Sequence, residues 1–158
     1  VERFNLGAMG GEPVADLLAR PAALTGTEVV ADEIPSLIDE VPLLAVLASR
    51  ATGETVFHGV SELRVKESDR LSLIAGNLRA LGGNAEARGD DLFVRGSETP
   101  PRGRVETAGD HRLAMAFAVL GTIPGAAVRL SERRSVAVSY PRFFHTLQAI
   151  GRAPRHRD

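Results

Sequence analysis

The sequence predicts an α/β fold: one lobe of repeated units, each with two parallel helices and a mixed sheet of roughly four strands. Two observations carry this. Short strand-like runs alternate with helical patterns along the chain, and helix starts recur at an interval of 71 residues. Asp39 and Asp110 each open the first helix of a unit, and Ser68 and Ser139 each open the second. The units are read as about 27–98 and 104–152, within a single lobe spanning 1–158.

VERFN (1–5) reads as a strand, and the glycines of LGAMGG as a mobile turn before PVADLLAR. TEVVA (27–31) is the next strand. From Ser36 to about Ala48, Leu37, Ile38, Val41, Leu44 and Leu47 recur at helical spacing, with Pro42 tolerated near the first turns. TVFHGV (55–60) is a strand. Leu71, Ile74, Ala75, Leu78 and Leu81 mark one face of a second helix, with Ser68 as N-cap and Gly82 as stop. NAEAR and LFVR flank the turn GDD (89–91) as a hairpin. Beyond the break TPPRG (99–103) the order repeats: strand RVET, a helix from Asp110 to Leu120, strand AVRL, and a helix from about Pro141 to Ile150.

The chain has 158 residues, 44% hydrophobic and 25% charged, enough for one domain with a real core. A net charge of -1 and 4% aromatic content argue against a nucleic-acid surface, which needs a basic field or stacking rings. Anion binding must therefore be local. The absence of cysteine excludes a disulfide framework and thiolate metal sites, and the apolar runs are too short to span a bilayer. No signal peptide is apparent, so a cytoplasmic setting is expected. The first residue is Val rather than Met, which leaves room for an upstream segment.

Charges collect at the predicted helix starts. Lys66, Glu67 and Arg70 bracket one, while His111 and Arg112 lie in the first turn of another. Helix amino termini present free N–H groups and the positive end of the macrodipole, which attract anions. Parallel helices would gather these ends into one charged rim.

Four stretches, in order, are GEPVADL (11–17), EIPSLIDEVPLLAVLA (33–48), ELRVKESDR (62–70) and GDHRLAMAF (109–117); SYPRFF (139–144) follows. In these motifs the chain resembles the carboxy-terminal part of the EPSP synthase family of enolpyruvyl transferases. VKESDR followed about 40 residues later by GDHRLAM is a specific pairing, and only the basic tail GRAPRHRD is left unassigned. The resemblance implies one lobe of the two-lobed, inside-out α/β barrel fold. It also implies transfer of the enolpyruvyl group from phosphoenolpyruvate to the 5-hydroxyl of shikimate 3-phosphate, with release of phosphate and without metal or organic cofactor.

By that similarity, Asp39 accepts the proton of the shikimate hydroxyl, and Glu67 protonates the methylene carbon and takes the proton back. Arg70 and Arg112 grip phosphoenolpyruvate, because planar guanidinium forks suit carboxylate and phosphate. Lys66 meets shikimate 3-phosphate. His111 either donates a hydrogen bond near the phosphate or fixes the helix start. Asp69 and Asp110 read as partners of the arginines or as helix caps. Glu67 carries a tension: a carboxyl that protonates carbon must hold a proton part of the time, yet Lys66 and Arg70 favour its ionised form.

Val138 stands where many members have a lysine that contributes to phosphoenolpyruvate binding. A full-length member has well over twice this length, with its substrates in the cleft between two lobes, so the implied partner is the missing amino-terminal lobe and this piece alone should turn over little or nothing. A UDP-sugar enolpyruvyl transferase and a noncatalytic anion-binding module are the competing readings.

Overall fold

The computed structural model describes residues 1–152, so residues 153–158 of the basic tail lie outside the described residues. The chain opens with an antiparallel hairpin, β1 (Glu2–Met9) and β2 (Glu12–Leu18). Its turn is only Gly10–Gly11, at φ 61° and 87°. Both angles lie in the left-handed region that hairpin turns need and that glycine adopts without strain. The earlier glycine of LGAMGG, Gly7, lies inside β1 rather than in a turn.

A short strand β3 (Glu28–Val29) leads to α1 (Ile34–Leu37) and α2 (Val41–Ala48). The single helix expected over Ser36–Ala48 is thus broken at Ile38–Glu40. Pro42 explains the break, since its ring crowds the carbonyl four residues back, that of Ile38, and it has no N–H to donate there. Asp39 consequently lies in the gap between two helices and does not open one.

Strand β4 (Glu54–Phe57) and a 3₁₀ turn (Ser61–Val65) precede α3 (Arg70–Ala80). The N-cap of α3 is Asp69, not Ser68: its carboxylate accepts from the Ser72 N–H at 3.0 Å. The unit closes with β5 (Asn84–Arg88) and β6 (Asp91–Arg95). Its sheet has the order β3-β4-β6-β5, parallel between β3 and β4 and antiparallel elsewhere.

The second unit contains β7 (Arg102–Val105), α4 (His111–Leu120), β8 (Ala127–Leu130), α5 (Val136–Ser139) and α6 (Phe143–Arg152). Strand β7 starts two residues before the expected RVET run. Ser139 closes the short α5 and does not open the last helix, because Pro141 follows it and α6 begins only at Phe143. Strands β7 and β8 pair in parallel as β3 and β4 do, but here the described residues supply no following hairpin.

One buried cluster joins both units. Val41, Ala45 and Val46 of α2, Leu71, Ile74 and Leu78 of α3, and Leu113, Phe117 and Leu120 of α4 pack with Phe57, Leu92 and Val94 of the sheet. Asn77, in the middle of α3, fastens the units further: its amide donates to the Glu106 carbonyl and accepts the Glu106 N–H, each at 2.8 Å. A buried side-chain amide satisfied at both ends costs little and fixes the register of helix against strand.

Candidate active site

Three helices start from a common end, and the side chains at that end interlock. Arg70, the first residue of α3, is fully buried and points its guanidinium at three carboxylates. Its Nε donates to Asp110 Oδ2 at 2.7 Å and Nη1 to Asp39 Oδ1 at 3.0 Å, while Nη2 donates to Glu67 Oε2. Asp110 is likewise fully buried. It caps α4 by accepting from the Arg112 N–H at 2.9 Å, and its other oxygen takes the Ser68 hydroxyl at 3.0 Å. One carboxylate therefore caps a helix and neutralises a buried guanidinium from the neighbouring helix start.

Arg112, in the first turn of α4, reaches across to the gap before α2. Its Nη1 donates to the Asp39 carbonyl at 3.0 Å and to Glu40 Oε1 at 3.1 Å, and its Nη2 lies 3.2 Å from Asp39 Oδ2. The proline-induced break makes this possible, because the Asp39 carbonyl is not used inside a helix. Asp39 thus sits between two guanidiniums and keeps 47% side-chain exposure, and Glu67 keeps 53%. The buried groups hold the frame, and the two carboxylates expected to carry protons face outward.

The electrostatics follow from this packing. Burial pushes the Asp110 carboxyl up, but the Arg70 ion pair, the Ser68 hydroxyl and the Leu113 N–H together hold it below its ordinary value. Burial likewise lowers the Arg70 guanidinium, yet Asp110, Glu67 and Asp39 raise it overall. Asp69, opposed by slight burial, is lowered by the Ser72 N–H and hydroxyl and by Arg64.

Lys66 stands at the edge of the cluster with its ammonium on Glu62. His111 is the half-buried first residue of α4, whose start is fixed by Asp110 instead. Asp69 pairs with Arg64 at 3.8 Å, not with Arg70 or Arg112, and Val138 is 89% exposed. Of the expected residues, Asp39, Glu67, Arg70 and Arg112 form one connected network; Lys66 and His111 border it.

Ser68, expected only as a cap, and Glu40 also belong to the network, Ser68 donating to Asp110 and Glu40 accepting from Arg112. Beside Arg112 the network opens onto a pocket with Leu43, Met115, Tyr140 and Phe143 in its lining. Among the described residues no group of three or more His, Asp or Glu is disposed to hold a metal ion. The three acidic residues that do converge have a guanidinium at their centre.

A family model described as EPSP synthase (3-phosphoshikimate 1-carboxyvinyltransferase) matches residues 6–147. The chain belongs to the EPSP synthase family. Among curated family members, the 3-phosphoshikimate 1-carboxyvinyltransferase of Rhodospirillum rubrum is 49% identical over 143 residues, covering 89% of this chain and 32% of the relative. That of Chelativorans sp. is 44% identical over 164 residues, covering 100% and 36%. The solved EPSP synthase from Acinetobacter baumannii superposes with a TM-score of 0.87 at 33% identity over 94% of this chain and 35% of that one. An enolpyruvyl transferase from Streptomyces tendae, at 22% identity and a TM-score of 0.55, shares the fold. The chain spans about a third of the length of the EPSP synthases it matches.

Proposed function

We propose that this chain supplies one wall of an active site that transfers the enolpyruvyl group of phosphoenolpyruvate to the 5-hydroxyl of shikimate 3-phosphate, a step of aromatic amino acid biosynthesis through chorismate. The observation that supports it best is the meeting of Asp39, Glu67, Arg70 and Arg112, from three separate motifs, at the shared end of α2, α3 and α4. Asp39 accepts the hydroxyl proton as the oxygen attacks the phosphoenolpyruvate carbon, and Glu67 delivers a proton to the methylene. Glu67 then withdraws a proton from the resulting methyl group, whose electrons form the new double bond as phosphate departs.

Arg112 and Arg70 stabilise the carboxylate and phosphate through this sequence, with Lys66 on the shikimate phosphate and His111 at the phosphate's edge. Three of the five N–H groups of Arg70 are engaged by carboxylates, so phosphoenolpyruvate competes with Asp39 and Glu67 for this guanidinium. The opposing wall comes from the amino-terminal lobe, the setting is cytoplasmic, and no cofactor takes part.

The test mixes this chain with a separately expressed amino-terminal lobe and follows phosphate release from the two substrates. Asp39→Ala and Glu67→Ala should each lower the rate by about a hundredfold or more. Undiminished release after either change, or none from a demonstrably assembled pair, would overturn the reading. That Asp39 and Glu67 are both held on Arg70 favours the noncatalytic module as the second reading; it predicts that the assembled pair binds both anions without turnover.

A further inference from the structure

The turn that carries Asp110 and Arg112 into the arginine network is built on a strained residue. Ala108 has a φ of 48°, and among the described residues the other non-glycine with positive φ is Asn5. An asparagine tolerates that left-handed region because its short polar side chain can bond locally; an alanine has no such help, so its surroundings must hold it there. Gly109 follows at φ 73°, which glycine adopts freely. The two residues reverse the chain between buried Thr107 and buried Asp110, whose N–H donates to the Thr107 carbonyl at 2.8 Å.

Glu106 supplies the hold on Ala108. Its Oε1 accepts the Ala108 N–H and the Ser131 hydroxyl, each at 2.9 Å. The Ala108 N–H first, and then the Ser131 hydroxyl, keep this carboxyl below its ordinary value, so at neutral pH it is ionised and its bond to Ala108 is charge-assisted. The main chain of Glu106 is itself fixed, because the buried Asn77 amide grips its N–H and its carbonyl at 2.8 Å. Asn77 belongs to α3, the helix that begins with Arg70. One helix therefore fixes both sides of the ion pair: Arg70 directly, and Asp110 through Asn77, Glu106 and the strained turn. Asp110 caps α4 through the Arg112 N–H at 2.9 Å, and from there Arg112 reaches the Asp39 carbonyl at 3.0 Å.

Taking Arg112 as a residue that grips phosphoenolpyruvate, we propose that Glu106 is a positioning residue for that substrate: it locks Ala108 in the left-handed turn and so holds Asp110 and Arg112 in place. Its hydrogen bonds among the described residues reach none of Asp39, Glu67, Arg70 or Arg112, so it acts through the turn alone.

A grip made equally in the ground and transition states shows in KM rather than in kcat. In the assembled pair, Glu106→Ala should raise KM for phosphoenolpyruvate about tenfold, with kcat and KM for shikimate 3-phosphate within about twofold of the parent. Glu106→Gln keeps the acceptor oxygen and should restore most of the loss. The double variant Glu106→Ala with Ala108→Gly should also recover, since glycine takes the left-handed turn unaided. A role confined to fastening the two units would give no recovery from that glycine. A second measurement uses this chain alone and needs no turnover: amide hydrogen exchange at Arg112 should quicken in Glu106→Ala and return toward the parent rate in the double variant. An unchanged KM for phosphoenolpyruvate in an active pair, or a double variant no better than Glu106→Ala, would overturn the proposal. Equal exchange at Arg112 in the parent and Glu106→Ala would do so whether or not the pair turns over. Absence of phosphate release from the parent pair sinks the catalytic reading instead, and the exchange measurement then decides whether Glu106 holds Arg112.

Discussion

Asp110 bears the greatest electrostatic load in the network, because it is buried, caps α4 and neutralises Arg70 at 2.7 Å. Removing it leaves a guanidinium in the interior with one fewer counter-charge, and breaking a buried pair from one side costs about 3–5 kcal/mol. Asp110→Ala should show a loss of that size in urea denaturation at pH 7. Its carboxyl is held below the ordinary aspartate value, so the folded state binds its proton less tightly than the unfolded state does. The stability it contributes is therefore present above about pH 4 and is lost as pH falls through the lower, folded value. Asp110→Asn should be less stable than the parent at pH 7 and lose less on acidification from pH 4 to pH 2. Equal acid slopes in the two proteins would refute the assignment. Arg70 also constrains function: a lysine there supplies one charge but cannot bridge three carboxylates in a plane. Arg70→Lys should thus loosen Asp39 and Glu67 and abolish transfer in the assembled enzyme while retaining the helix.

At the scale of elements, caps and prolines decide where the functional groups stand. Asp69 caps α3 through the Ser72 N–H, whereas Ser68 turns its hydroxyl to Asp110. Asp69→Ala should cost about 1 kcal/mol and speed amide exchange at Ser72, while Ser68→Ala should leave that amide protected. Equal exchange in both variants would return the capping role to Ser68. The close seat of the sheet's end on the turn after α2 is equally specific. A methyl at Gly96 would meet the Ala51 carbonyl oxygen at 1.6 Å, so Gly96→Ala requires backbone displacement and should lower the denaturation midpoint measurably. Pro42 acts differently, since its break in the helix lets the Asp39 carbonyl receive Arg112. Helical periodicity across Ser36–Ala48 is genuine, but periodicity records only which side faces the core and is insensitive to an interruption by one missing N–H.

At the scale of the whole molecule, one core spans two repeat units while the amino-terminal hairpin lies outside it. Deleting residues 1–18 should accordingly leave the unfolding free energy of the remainder within about 0.5 kcal/mol, as for changes that remove no buried contact. The sequence by itself determined the alternation of strands and helices, the start of α4 at Asp110, the apolar faces and the charged residues near the helix starts. These are properties of neighbouring residues: side-chain period, proline and glycine geometry, and local charge. The 71-residue interval pointed to two similar units, but Asp39 and Ser139 open no helix, so the register between them is not kept residue for residue, and the number of strands in their sheets differs. Which carboxylate would cap which helix, that Arg70 would be buried among three of them, and that Arg112 would reach the residue before α2 were decided only by the tertiary structure. Those contacts join positions 31 to 73 residues apart. Their partners are selected by burial, because a guanidinium removed from water must take whichever carboxylates the packed helices bring to it.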